Sequence, residues 1–453
     1  MSQVGIGAPV LLAESPTADS PGRRLKRNSA FGLVTFAVPT AVVLVAYPWL
    51  IHRIGADAFG VFVLASSLAG SMGLLDPGLT PATTHFVAKD MAVGHREDAA
   101  RSITTSLVLY TLLGLAGCCA VWLASPWLAS TFSGRAVDKD AAAWVFRLAG
   151  IQIEAMFLIN VCAGTFKGLH RFDWSALLMS SLAFASYGSA VAASVLWRPD
   201  LVRIILAYTA GYVAVVVLAL GLLVIISGRL DVPITRARPS LPALRRLIRY
   251  GIVMMGNSVA AFLLYEVQAF VVGAAIGPAA VTVYQLATTI PSKAQTLISS
   301  ATEVLFPFAS TSPDRAELRR AYLQMLRGSA LVAFVLLGTL TIWREPILNW
   351  WLGAQTAVPA AEVLPLFAAA YFLISLTPAP YYLANGMGKP QLNTACYLLD
   401  GIANVVFLAL LLPGGLTLAK VGWAFLAANL LNSVVYQALA ELVLWRNWKP
   451  AGS

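Results

Sequence analysis

The chain has 453 residues, of which 58% are hydrophobic and 11% are charged, and its mean hydropathy is +0.75. Water-soluble globular proteins usually contain about a quarter of charged residues, so this composition excludes a soluble protein and indicates a membrane protein. The formal net charge is +10, but the basic residues lie in short segments between apolar runs. Membrane topology explains such a distribution, and we expect no nucleic-acid partner.

The N-terminal residues 1–22 are rich in proline, serine and alanine and have no hydrophobic periodicity. A basic cluster follows, made of Arg23, Arg24, Lys26 and Arg27. We expect residues 1–28 to form a disordered cytoplasmic tail that ends at the membrane surface. A cleavable signal peptide has its charges first and a small-residue cleavage site after a short apolar core, and we find no such pattern here. The first helix, left uncleaved, is therefore the expected targeting signal.

Apolar runs of about 20 residues, the length that crosses a bilayer as a helix, recur along the rest of the chain. They lie near residues 30–51, 58–82, 102–124, 142–167, 174–197, 204–227, 250–276, 280–310, 327–343, 361–385, 391–412 and 421–445. The predicted fold class is therefore an all-α polytopic membrane protein with about 12 transmembrane helices.

The loops alternate in charge. Most lysine and arginine residues fall on the side that carries the N-terminus, and basic residues are retained on the cytoplasmic side of a membrane. This pattern predicts a multi-pass protein of the cytoplasmic (inner) membrane with both termini in the cytoplasm, including a C-terminal tail at residues 446–453.

The longest predicted cytoplasmic segment is an arginine-rich linker at residues 228–249. Its basic residues are Arg229, Arg236, Arg238, Arg245, Arg246 and Arg249, opposed by one acid, Asp231. Such a cluster could bind anionic head groups of membrane lipids. A topology signal combined with a surface helix over Leu244, Leu247 and Ile248 is the simpler explanation, and we favour it.

A repeat with a shift of 222 residues relates the two sides of this linker. It pairs residues 54–68 with residues 276–290, including Gly55 with Gly277 and Val61 with Val283. We interpret it as a duplication that produces an N-terminal six-helix bundle at 29–227 and a C-terminal six-helix bundle at 250–445. An even number of helices per repeat preserves orientation, so the expected symmetry axis runs along the membrane normal.

The same segments resemble a known family. Residues 54–62, leading into residues 74–79, are similar to the first hairpin of the polysaccharide and lipid-linked oligosaccharide flippases (Wzx-like) of the MOP (MATE-like) superfamily. In the second half, residues 271–273, 276–277, 283–284, 305–307 and 386–389 resemble the corresponding motifs. The resemblance covers essentially the whole chain after residue 28.

This resemblance implies a transporter without a cofactor rather than an enzyme. The expected activity is a flippase for an undecaprenyl-diphosphate-linked glycan in polysaccharide biosynthesis, which moves this lipid-linked oligosaccharide from the inner to the outer leaflet by alternating access. Its expected neighbours in the pathway are glycosyltransferases and a polysaccharide polymerase. A polar cleft between bundles suits this task, because buried charges and unpaired polar groups are costly in hydrocarbon.

Four ionisable residues fall near mid-membrane, where such residues are expensive and usually functional. They are Glu154, Glu266, Lys293 and Asp400. We expect Lys293 to contact the diphosphate, with Glu266 either beside it or carrying a coupling ion. The alternative is a buried Glu266–Lys293 pair that holds two helices together. Glu154 has no evident partner and is a candidate coupling residue.

Further candidates complete the predicted site. Asp400 and Asn404, one helical turn apart, either line the cavity or bridge helices. Arg249 is a candidate for substrate binding because the resemblance implies a cationic cavity. Four other bases near helix ends could contribute, although each also suits an interfacial anchor: Arg147, Lys167, Arg171 and Lys389. Candidate structural residues are Asp76, Pro77, Gly78, Pro291 and Pro307.

Two other functions compete with the flippase. A cation-coupled multidrug exporter of the same superfamily would use Glu154, Glu266 or Asp400, and the acidic interior favours it. A membrane glycosyltransferase or polymerase would need a large outer loop with acidic catalytic residues, and no predicted loop is long enough. The four cysteines lie in apolar runs and the four histidines near helix ends, so no metal site is expected.

Overall fold

The structure, a computed structural model, describes residues 21–71, 78–197, 200–311 and 314–446, with the backbone alone described at 21–36, 253–257, 307, 311, 354–355 and 446. All regular structure in these ranges is helical. The first group of helices is α1 (Pro21–Ile54), α2 (Ala56–Gly70), α3 (Leu79–Ala92), α4 (Arg96–Phe132), α5 (Lys139–Gly168), α6 (Phe172–Leu196) and α7 (Leu201–Arg229).

The second group follows a short connection. Its members are α8 (Leu241–Tyr265), α9 (Val267–Ala275), α10 (Pro278–Thr302), α11 (Leu305–Thr311), α12 (Arg315–Ile342), α13 (Arg344–Leu352), α14 (Ala354–Ile374), α15 (Pro378–Gly386), α16 (Pro390–Leu411) and α17 (Leu418–Ala440). A π-helical turn at Glu441–Arg446 continues α17. Helix α1 begins at Pro21, inside the predicted tail 1–28, and the remainder of both predicted tails (residues 1–20 and 447–453) lies outside the described residues.

Local sequence explains where many of these helices begin. The side chains of Asp138, Asp200, Ser240, Asp314 and Thr417 each accept a hydrogen bond from a backbone N–H in the first turn of the following helix. Such capping satisfies donors that have no partner within the helix. Gly55 (φ 82°) and Gly277 (φ 125°) form the tight connections before α2 and α10, where a side chain would be strained.

Each predicted span overlaps a helix, and ten described segments are long and apolar enough to cross a membrane. The predicted spans 58–82 and 280–310 also overlap helices, but neither corresponds to one of these ten segments. Residues 56–70 form a helix of only 15 residues, and α10 contains many serine, threonine and glutamine residues. The chain is thus an all-α, multi-pass membrane protein, and the ten apolar helices are consistent with about twelve spans.

Helices pack mainly within each group. In the first group α5 contacts α2, α3, α4, α6 and α7, and its Phe146, Phe157 and Phe166 are fully buried. In the second group α17 packs against α14 and α16, while α8 packs against α16. Helices α2 and α10 make the main direct contact between the groups. The proposed origin of the groups by duplication, with bundle boundaries at 29–227 and 250–445, stays a prediction.

We call the two ends of the molecule the hairpin end, formed by residues 54–56 and 276–278, and the linker end, formed by residues 93–95 and 230–240. At the hairpin end the Thr282 hydroxyl donates to the Ala56 carbonyl at 2.6 Å, and the Trp351 indole donates to the Leu44 carbonyl at 2.6 Å. Among hydrogen bonds between described residues, those joining α1–α7 to α10–α17 lie in this half of the molecule.

At the linker end, residues of the predicted linker form hydrogen bonds to helices of the first group. Residues 241–249 of the predicted linker are the first turns of α8, so Arg245, Arg246 and Arg249 lie on a helix. The Arg246 guanidinium donates to both carboxylate oxygens of Asp90, at 3.3 and 2.5 Å, and to the Ser102 hydroxyl. Most of the other linker arginines are exposed.

Candidate functional site

A cavity of about 410 Å³ lies between the two groups of helices. Tyr47 and Tyr187 line it from α1 and α6, and Glu266, Tyr284 and Gln285 line it from the second group. The Tyr47 and Tyr187 rings pack edge to face, with centroids 5.9 Å apart. Aromatic walls with a few convergent polar groups are typical of binding sites for small molecules and for parts of larger ligands.

Helix α10 supplies a polar wall of this cavity. Gln285, Thr288, Ser292, Gln295 and Thr296 all line it, and their spacing of three or four residues places them on one face of a helix. This face explains why α10 is less apolar than the ten membrane-crossing segments. A helix whose polar side chains face a cavity does not need to be apolar on every side.

Glu266 occupies the break between α8 and α9, where the helix is interrupted for one residue. Its carboxylate faces the Ser67 hydroxyl of α2. A Cβ on Gly70 would lie 3.1 Å from Glu266 Oε1, so a glycine on α2 makes room for the carboxylate. The break is supported by Asn404, whose side-chain amide donates to the Leu264 carbonyl at 3.3 Å.

Two smaller cavities of about 230 and 280 Å³ adjoin the central one within the second group. The first shares Leu264, Tyr265 and Gln295 with the central cavity and is also lined by Asp400 and Asn432. The second shares Leu264, Tyr265 and two further tyrosines with the first. These shared lining residues make the three cavities contiguous.

Asp400 and Asn404 have different surroundings although both are buried on α16. The Asn432 side chain of α17 donates to Asp400 Oδ2 at 3.0 Å, while Asp400 Oδ1 has no hydrogen-bond partner among the described residues. Asn404 accepts from Gln268 at 2.8 Å and therefore bridges α16 to α8 and α9. Of the two residues, only Asp400 lines a cavity.

Lys293 follows Ser292 on α10 but does not line the cavities described above. Among the described residues no ion pair within 4.0 Å involves Lys293 or Glu266. The Glu266–Lys293 pair, which the sequence offered as the alternative, is therefore not formed, because the Glu266 carboxylate is directed toward Ser67 and Gly70 of α2.

Glu154 lies inside the first group, on the face of α5 that contacts α4. A Cβ on Gly114 would lie 1.9 Å from Glu154 Oε2, which shows how closely the carboxylate packs against the glycine. Glu154 Oε2 is buried and has no hydrogen-bond partner among the described residues. Glu154 is not a lining residue of the three contiguous cavities.

The predicted interfacial bases lie outside these cavities. Arg249 is exposed on α8. The Arg147 guanidinium donates to Ser125 at 3.1 Å and lies 4.9 Å from the centroid of the Trp144 ring. Lys389 donates to the Val443 carbonyl at 2.8 Å, and Arg171 pairs with Asp173 at 3.0 Å.

The candidate structural residues are only partly described. Asp76 and Pro77 lie outside the described residues, as does the side chain of Pro307, which belongs to α11. Gly78 has φ 68° and precedes α3, a conformation that favours glycine. Pro291 is buried inside α10, which continues on both sides of it.

The sequence-based prediction missed the tyrosines. Tyr47, Tyr187, Tyr265, Tyr284 and Tyr371 all line the central cavity, but none was a candidate because aromatic residues are common in apolar helices. A signal was available in α10, where the polar residues recur at helical spacing. That face could have identified the cavity wall without the structure.

Comparisons with known proteins agree with this fold. Residues 86–358 match the family model described as polysaccharide biosynthesis protein. A Shigella flexneri protein named "Putative O-antigen transporter" is 21% identical over an alignment of 408 residues that covers 88% of this chain and 94% of the relative.

Solved structures with the same fold are transporters of the MOP superfamily. An inward-facing multidrug resistance MATE family transporter superposes with a TM-score of 0.70 at 15% identity, covering 90% of this chain and 97% of that one. An outward-facing transporter of the same description gives 0.60 at 16% identity, covering 95% and 98%. At these identities the likeness concerns the fold. Since the family model matches more than half of the chain, this protein belongs to the family of polysaccharide biosynthesis proteins and has the fold of MOP-superfamily transporters.

Proposed function

We propose that this protein is a flippase that moves a polyprenyl-diphosphate-linked oligosaccharide from the inner to the outer leaflet of the cytoplasmic membrane. The observation that carries the proposal is a polar cavity between two helix groups that are bonded directly to each other at the hairpin end. Membership of a polysaccharide biosynthesis family and a full-length relative named as an O-antigen transporter supply the substrate class.

The predicted orientation of the chain in the membrane assigns the two ends of the molecule to the two sides of the membrane. With the N-terminus in the cytoplasm, the hairpin end faces outward, because α1 crosses the membrane once before Gly55. The cavity would then receive a head group from the cytoplasmic side. Export would require the hairpin contacts to separate and the linker end to close, which is alternating access between two six-helix bundles.

Within this proposal the predicted site residues have distinct roles. Lys293 and Arg249 would contact the diphosphate. Glu266, Asp400 and Asn404 would bind or position the glycan, and Glu154 or Glu266 would carry a coupling ion. The lipid tail would remain among the membrane lipids.

The second candidate function is export of cationic drugs by cation coupling. It is favoured by one observation, namely that Glu266 and Asp400 line the contiguous cavities. A cationic drug would suit such a site, because a buried carboxylate attracts an opposite charge strongly.

Expression in a bacterial host that lacks its own O-antigen flippase separates the two candidates. The flippase proposal predicts restored surface polysaccharide and unchanged susceptibility to cationic drugs. Drug resistance without surface polysaccharide would support the exporter instead. Gly60→Trp, which would force apart the contact between Gly60 and the Pro278 carbonyl, is the matched inactive control, provided that its membrane level is measured.

A further inference from the structure

We propose that the contiguous cavities bind sugar residues that carry no acidic group, and that the diphosphate stays outside them. This inference rests on the proposed function and specifies the part of the substrate that the cavity selects. It differs from the cationic cavity that the family resemblance implies.

The cavity walls carry carboxylate groups. Glu266 lines the central cavity and Asp400 lines the first of the two smaller cavities, whereas no lysine, arginine or histidine among the described residues lines any of the three. Neither carboxylate has a cationic partner within 4.0 Å among the described residues. An ionised carboxylate repels a like charge more strongly where water is scarce, so a uronic acid or a phosphate would be disfavoured at this site whenever Glu266 or Asp400 is ionised.

The cavity walls also carry uncharged hydrogen-bonding groups. Gln285, Thr288, Ser292 and Gln295 line the central cavity, and amide and hydroxyl groups can both donate and accept. Sugar hydroxyl groups have the same dual character. Ser66 Oγ, on α2, is buried without a hydrogen-bond partner among the described residues and also lines the cavity, which leaves it available to a ligand hydroxyl.

The central cavity also has an aromatic surface. Tyr47, Tyr187, Tyr265, Tyr284 and Tyr371 surround the central cavity. A pyranose ring has one apolar face of C–H groups that packs against aromatic rings, while its hydroxyl groups project sideways toward polar partners. Rings with a polar tip, such as tyrosine, serve both requirements.

The size of the cavity limits what it can hold. About 410 Å³ lies within the range of roughly 300–1,000 Å³ that is usual for small-molecule pockets. The cavity therefore accommodates a short part of a glycan, and the charged diphosphate would lie toward the linker end, where exposed arginines such as Arg245 and Arg249 occur.

Binding of water-soluble oligosaccharides to the purified full-length protein in lipid nanodiscs tests this inference without requiring transport. The probes are a neutral tetrasaccharide and the same tetrasaccharide in which one hexose is replaced by its uronic acid. We expect the neutral probe to bind at least tenfold more tightly to the unmodified protein. Glu266→Gln should reduce this ratio at least threefold by improving binding of the acidic probe.

Two variants provide the controls. Gln295→Ala, which removes a lining amide, should weaken binding of the neutral probe several-fold. Glu345→Gln, which neutralises a side chain that is 71% exposed, should leave the ratio unchanged. Equal binding of both probes, tighter binding of the acidic probe, binding of neither, or an unchanged ratio in Glu266→Gln would overturn the inference. None of these results would affect the proposed flippase activity, which is measured as transfer between leaflets.

Discussion

Ala56 and Thr282 are joined at the hairpin end by a hydrogen bond of 2.6 Å between the Ala56 carbonyl and the Thr282 hydroxyl. The 222-residue repeat pairs Ala56 with Pro278 and Gly60 with Thr282. Pro278 in turn lies against Gly60, where a Cβ would come within 1.8 Å of the Pro278 carbonyl oxygen. The repeat therefore maps the Ala56–Thr282 contact onto the Pro278–Gly60 contact, which is the arrangement expected if the predicted duplication places the two segments around a two-fold axis.

Gly60→Ala should destabilise the contact between α2 and α10. The added methyl group would overlap the Pro278 backbone, and overpacking of a dense interface typically costs about 1–3 kcal/mol. Thermal unfolding of the purified protein and its level in membranes measure the effect. Gly221→Ala on α7 is the matched control, because a Cβ added at Gly221 would project into open space. Equal stability of the two variants would show that the hairpin contact is not tightly packed.

Arg246→Ala should weaken attachment of the linker to the first group. Its guanidinium bonds the Asp90 carboxylate, whose side chain is 9% exposed, and the loss of charged hydrogen bonds typically costs about 1.5–3 kcal/mol each. We expect a lower melting temperature and less protein in the membrane. Arg245→Ala, at an exposed neighbouring position, should have little effect.

A double variant distinguishes this ion pair from a general loss of charge. Because Arg246→Ala and Asp90→Ala each leave the other partner without its counter-ion, the combined variant should lose less stability than the sum of the single variants. Strict additivity would mean that the two side chains act independently.

The sequence was sufficient to predict the helical class and the resemblance to lipid-linked oligosaccharide flippases. It also located the spans, since each predicted span overlaps a helix. Long apolar runs are a strong signal, since lipid requires the backbone to satisfy its own hydrogen bonds. Predictions of pairwise contacts were weaker. The alternative Glu266–Lys293 pair is not formed, because distance along a hairpin does not determine which way a side chain turns, and Glu266 turns toward Ser67.

Asp400→Asn should preserve the amount of protein in the membrane and lower glycan export. Asparagine has the same shape and can still accept the hydrogen bond from Asn432, which Asp400 accepts at 3.0 Å, so the helix contact survives while the charge is lost. Surface glycan normalised to membrane protein level is the measurement. Asn404→Ala is the comparison variant. Loss of its hydrogen bonds to Gln268 and Leu264 should reduce the amount of protein in the membrane. Full export by a stable Asp400→Asn protein would remove this carboxylate from the site.

Lys293→Ala should block export while the protein remains in the membrane. No ion pair within 4.0 Å joins Lys293 to another described residue, so its removal leaves no buried carboxylate without a partner. Lys293→Arg should retain part of the activity, because charge is kept while the compact ammonium geometry is lost. Normal export by Lys293→Ala would exclude a role in binding the diphosphate.

The central claim is that this protein transfers a lipid-linked glycan between leaflets, and proteoliposomes containing the purified full-length protein test it directly. A fluorescently labelled undecaprenyl-diphosphate-linked oligosaccharide is placed in both leaflets, and a membrane-impermeant quencher is then added outside. The account predicts that fluorescence falls to a level well below one half in vesicles containing the protein, as label from the inner leaflet becomes accessible. Loss of only the outer half, as in vesicles without protein, would contradict it.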